Sequence, residues 1–146
     1  MTEPSPSSQP SWADERGDAA LRKADALARR EAGESQQASA LIVQFVADAT
    51  AAGITPVLLT ARSYDSSARY RTNVTGWYLK HNQSVGVDTD GAFYILAAPP
   101  SLKARFTGVT IEPSPPPLEL GKGGRDGESM PIATALAKRL AGANDW

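Results

Sequence analysis

The chain predicts an α+β fold, a two-layer sandwich in which an antiparallel sheet of about five to six strands carries two main helices on one face. Three observations predict it. Asp90-Gly91 stands between Val85/Val87 and Phe93/Tyr94/Ile95, a turn dipeptide between apolar runs, which is a hairpin signal. Leu41, Ile42, Phe45, Val46 and Ala49 recur at helical spacing and form one broad apolar face. Ile132, Leu136 and Leu140 do the same near the end of the chain, closed by Gly142.

The elements follow in order. Residues 1–17 are rich in Ser, Pro and Glu and offer little apolar surface to offset ordering entropy, so a disordered tail is expected. Residues 18–143 are expected to form a single domain. Its first helix, 18–32, has Asp18 as cap and a narrow, mostly alanine stripe (Leu21, Ala24, Leu27, Ala28), and Ala32-Gly33 is expected to end it. Ser35 then caps a stronger helix to about Ala52, ended by Gly53. Thr55-Pro56 forces extended backbone, and Val57 to Thr60 reads as a short strand with Pro56 at its start. Tyr70 to Leu96 reads as a three-stranded meander with turns at His81–Ser84 and Asp90-Gly91. Large apolar groups on both faces of its first and third strands imply that neither face is fully solvated.

Beyond Pro99-Pro100, residues 101–107 fit a helical turn or a loop, and Val109–Glu112 alternates as a strand. Pro113 to Pro117 reads as a stiff connector, and Leu118-Glu119-Leu120 as a last strand. The final helix is expected to start at Glu128-Ser129, with Pro131 in its first turn. Residues 144–146 are set apart as a C-terminal tail.

Composition narrows the chemistry. The 146 residues contain no cysteine, which excludes disulfides, thiolate-bound metals and a Cys nucleophile. A formal net charge of −1 gives no global pull toward nucleic acid or anionic membrane. The one histidine, His81, sits in a turn with no nucleophile-elbow motif nearby. Asp88 and Asp90 are explained by turn chemistry. No catalytic residue, metal ligand or cofactor is assigned, no apolar run is long enough to cross a bilayer, and the absence of a signal-peptide pattern makes cytoplasmic residence the expectation.

Two constellations could bind something. The first is Arg69, Arg71, Trp77 and Tyr78, within a stretch from Arg62 to His81 where basic and aromatic residues interleave, as in proteins that hold single-stranded nucleic acid by stacking and phosphate neutralisation. The second is the glycine-rich loop Lys122, Gly123, Gly124 and Arg125, read as joining a strand to a helix. Glycines admit close backbone approach and a helix start favours anions. Yet Lys122 comes too early for a P-loop, and Asp126 stands where a dinucleotide fingerprint has its third glycine. The sequence is therefore read as a non-catalytic protein-binding or regulatory module, its partner an unidentified protein. Single-stranded nucleic-acid binding through 62–81, and small-anion or nucleotide binding or hydrolysis at 121–129, are the alternatives.

Overall fold

The computed structural model describes residues 12–121 and 129–146. They fall into two units divided after Gly33, described in turn.

The first unit holds the beginning of a 40-residue helix, α1 (Trp12–Ala51), with Asp14 and Glu15 in the first turn, where the helix dipole favours negative charge. From residue 12 to 33 only Ala19 and Gly33 are even half-buried. Leu21 is 66 % and Leu27 50 % exposed. The two helices expected from the sequence are thus one. Glycine inside a helix costs only about 1 kcal/mol relative to alanine. With no proline or competing turn next to Gly33, that cost is too small to end the helix.

In the second unit α1 buries Ala38, Ile42, Phe45 and Ala49, spaced four, three and four residues apart. Gly53, at φ +73°, turns the chain out of the helix. The strands are β1 (Val57–Ser63), β2 (Arg69–Tyr78), β3 (Val85–Asp88), β4 (Phe93–Ile95) and β5 (Ala97–Ala98). The short helix α2 (Leu102–Thr107) follows, capped by the Ser101 hydroxyl. Then come β6 (Glu119–Leu120), β7 (Met130–Pro131), α3 (Ile132–Gly142) and a 3-10 turn, Ala143–Asp145.

The main sheet has the order β4-β3-β2-β1-β5. The meander β2-β3-β4 is antiparallel throughout, as is β1 with β2. The expectation of a purely antiparallel sheet is corrected, because β5 runs parallel to β1. The cause is local. β4 and β5, at opposite ends of the order, are separated in the chain by Leu96 alone. Its amide donates to Ser84 O at 2.9 Å, while its carbonyl accepts from Arg62 N at 3.1 Å. In a straight strand both groups of one residue point the same way, so Leu96 is a corner. The sheet curls until its ends join there. A register shift at Leu58/Thr60 adds bend, and the Thr72 hydroxyl takes up the Leu59 carbonyl inside it at 2.7 Å.

Each face of this sheet carries its own core. Trp77, Leu79, Val87 and Phe93 pack with α1 and with Ile132, Ala135 and Leu136 of α3. Tyr70, Val74, Tyr94 and Leu96 pack with Leu59, Ala61, Ala98 and Ala104 of α2. Residues of α1 and α3 belong to the first core and Ala104 of α2 to the second, so the helices number more than the two expected. Gly76 and Gly86 are required by close approach. A Cβ at Gly76 would lie 1.8 Å from Val87 O, and one at Gly86 2.8 Å from Leu59 Cδ1.

Three local expectations change. The β3–β4 connection is a three-residue loop, with Gly91 N donating to Asp88 O at 3.1 Å and Asp88 N to Ala92 O at 3.0 Å. Gly91 takes φ +88°, the left-handed position of a type I turn with a bulge. Of residues 109–112 only Val109 forms a bridge, to Thr72. Finally, β6 pairs with β7 in a separate two-stranded sheet. α3 therefore starts at Ile132, with Pro131 rather than Ser129 at its N-cap, and the Ile132 amide donates to Leu118 O at 2.7 Å.

Residues 144–146 are anchored. Asn144 accepts from Thr55 N at 3.0 Å and donates to Gly53 O at 3.1 Å. Trp146 stacks on His81 with centroids 4.0 Å apart, and the Arg139 guanidinium lies 4.8 Å from the indole centroid.

Candidate functional site

Alternation along β2 leaves Arg69, Arg71, Asn73 and Thr75 exposed on one face while Tyr70, Thr72 and Val74 turn inward. Arg69 and Arg71 are thus side by side. Each is also engaged: Arg69 Nη1 donates to Thr60 Oγ1 at 2.8 Å, and Arg71 Nη2 to Phe106 O at 3.4 Å. Of the aromatics the sequence grouped with them, Tyr78 meets Arg69 at Thr60 Oγ1, 3.2 Å from the Tyr78 hydroxyl, and Trp77 lies in the core. Trp77 is 1 % exposed, stands edge-on to Phe45 at 5.7 Å, and donates its indole N–H to Ile54 O at 3.1 Å. Tyr78 is half-buried, its hydroxyl accepting from Thr60 N at 2.9 Å.

Lys122, Gly123, Gly124 and Arg125 lie outside the described residues. What flanks them is described: the loop connects β6 to β7, two paired strands, rather than a strand to a helix.

One hollow of the second unit was not anticipated. It is a groove of about 1100 Å³ between the strand Phe93–Ala97 and the segment Pro115–Gly121, with Arg62, Tyr64 and Lys80 among its other walls. Its origin is legible in backbone chemistry. Ser114 N donates to Phe93 O at 2.8 Å, the start of an antiparallel pairing. In this register Pro115, Pro116 and Pro117 run back beside Ala92 to Asp90, where without an amide hydrogen they cannot extend it. On the Ile95 side the register calls for Glu112, which forms no bridge, so the ladder stops at a single pair. Alternation turns the Ile95 amide and carbonyl to the same side as Phe93 O, toward the groove. The Ile95 side chain is 53 % exposed beside it. Glu34 and Glu119 share the lining with Arg62 and Lys80, so the charges balance. Lys80 is only 5 % exposed.

Near the groove wall, Ser63 and Ser67 hold Asp65. The Ser67 hydroxyl donates at 2.6 Å, the Ser63 hydroxyl at 2.7 Å and Ser67 N at 3.0 Å. These bonds lower the Asp65 carboxyl to about 2. They also shape the β1–β2 turn, where Ser66 takes φ +60°. On the opposite hairpin the Tyr94 phenol is raised, first by burial and then by the Asp88 carboxylate, to which it donates at 2.9 Å. Both arrangements are turn architecture. Among the described residues no group of three or more His, Asp or Glu is placed to hold a metal ion. No described helix is long and apolar enough to cross a membrane.

No protein-family model, curated protein or solved structure matches the chain.

Proposed function

We propose that the protein is a non-catalytic module that binds a partner protein, taking an extended segment of it into the groove between Phe93–Ala97 and Pro115–Leu118. The observation that supports this is the interrupted ladder: an exposed Ile95, its main chain turned to the same side as Phe93 O, lines the groove and forms no bridge on that side with another described residue. An extended segment would gain main-chain hydrogen bonds there and place alternate side chains over Phe93 and Leu118. Balanced charge and a largely apolar floor favour a peptide over a nucleic acid strand. Nucleic-acid binding draws support from Arg69, Arg71 and the half-buried Tyr78 but loses Trp77, which is committed to the core.

The test is selection of a displayed random-peptide library on the wild-type chain, with counter-selection on Ile95→Arg. Convergent peptides should bind wild type at least about tenfold more tightly than the variant, a difference of roughly 1.4 kcal/mol. They should shift the amides of residues 93–97. No convergent binder, or binders indifferent to Ile95→Arg, would end this reading. Single-stranded oligonucleotides that bind wild type but not Arg69→Glu/Arg71→Glu would favour the alternative.

A further inference from the structure

We propose that the exposed helix of the first unit is a self-association element, in which two copies of the chain pair in parallel along a stripe formed by Ala20, Leu21, Ala24, Leu27 and Ala28. This goes beyond the groove and uses none of its residues. At 3.6 residues per turn those five side chains lie within one face of α1. Leu21 and Leu27 are 66 % and 50 % exposed, with no cover from the described chain. Gly17 and Glu31 also fall on this face and bound the apolar stretch at its two ends.

Charge selects the occupant. Arg16, Lys23 and Arg30 recur every seven residues along one flank of the stripe, while Asp18 and Asp25, also seven apart, follow the other. Asp18, Lys23, Asp25 and Arg30 make no ion pair with another described residue. In a parallel pair, related by an axis along the helices, the basic flank of each copy faces the acidic flank of the other at both seams. An antiparallel pair sets like flank against like flank. A helix carrying opposite charges on its two flanks is thus complementary to a parallel copy of itself. Two leucines and three alanines bury modest area, so the association is concentration-dependent.

The chain contains no cysteine, which makes single thiols clean reporters. The full chain and its variants Ala20→Cys and Ala28→Cys would be studied by sedimentation equilibrium and by mild oxidation. The average mass of the wild type should climb with concentration from one chain toward two. Both cysteine variants should cross-link to themselves, because a parallel pair in register brings each position to its own copy; an antiparallel pair does so for at most one of them. Leu21→Asp/Leu27→Asp should raise the dissociation constant at least about tenfold while leaving the near-ultraviolet signal of buried Trp77 unchanged. Lys23→Glu should weaken pairing and Lys23→Glu/Asp25→Lys restore it. A single-chain mass at every concentration, cross-linking of only one cysteine variant, or pairing undiminished in Leu21→Asp/Leu27→Asp would overturn the proposal.

Discussion

Asp65 shows how much one exposed side chain can organise. Its carboxylate collects two hydroxyls and an amide in the turn between β1 and β2, and these hold it at about 2 rather than its ordinary 3.8. The folded state therefore binds that proton less readily than the unfolded chain. The stabilisation is fully present above about pH 4 and is lost as the pH falls toward about 2. Asp65→Asn should melt below wild type at neutral pH, and the gap between their melting temperatures should close over that acid window. A gap that stays constant down to the bottom of the window would mean the carboxylate is not what orders the turn. The pattern Ser63-x-Asp65-x-Ser67 was present in the sequence but unreadable as a cluster, because a polar loop permits many such pairings and only the fold selects one.

At the level of elements, propensity signals served where the competition was local. Asp90-Gly91 marked its hairpin because a left-handed glycine is needed there, although the loop is one residue longer than the dipeptide alone suggested. Gly33 misled for the converse reason: a glycine ends a helix only when the chain has somewhere else to go. A Cβ at Gly33 would meet nothing within 4 Å. Gly33→Ala should consequently stabilise α1 by about 0.5–1 kcal/mol, seen as higher far-ultraviolet helicity and a higher melting temperature. A helix that stopped at residue 32 would lose stability on the same change. Pro131 was expected inside the first turn of the last helix but stands before it, as the N-cap and the end of β7. Its pairing with Glu119 depends on a contact across the glycine-rich loop, which no local rule supplies.

For the whole molecule the decisive feature is non-local. The parallel pairing of β5 with β1 and the two cores depend on the corner at Leu96, and nothing in the residues around position 96 announces it. The same holds for the groove, whose walls come from segments about twenty residues apart, whereas the exposure of Arg69 and Arg71 followed from simple alternation. Trp77 was the reverse case, since an aromatic in a strand can serve core or surface and α1 decides. Leu96 is 1 % exposed, and its side chain fills the space that Gly86 leaves. Leu96→Ala should cost about 2–5 kcal/mol, the range for a buried leucine truncated to alanine. Because one sheet carries both cores, Trp77 fluorescence and the near-ultraviolet signal of Tyr70 and Tyr94 should report a single transition in wild type and variant. A loss under about 1 kcal/mol, or two separate transitions, would show that the corner does not unite the molecule.

The joined sheet also bears on behaviour in a crowded solution. Open sheet edges are templates on which identical chains can stack, and proteins commonly guard them with charge, bulges or proline. Here the outermost strands of the five-stranded order follow one another through Leu96, and the outer edge of β4 is bridged at Phe93 by Ser114. The short opening that persists, at Ile95, belongs to a groove whose walls include Pro115 and Pro117, residues poorly suited to continuing a ladder between molecules. The gap that leaves room for a foreign strand is therefore a poor seed for polymerisation of the protein itself.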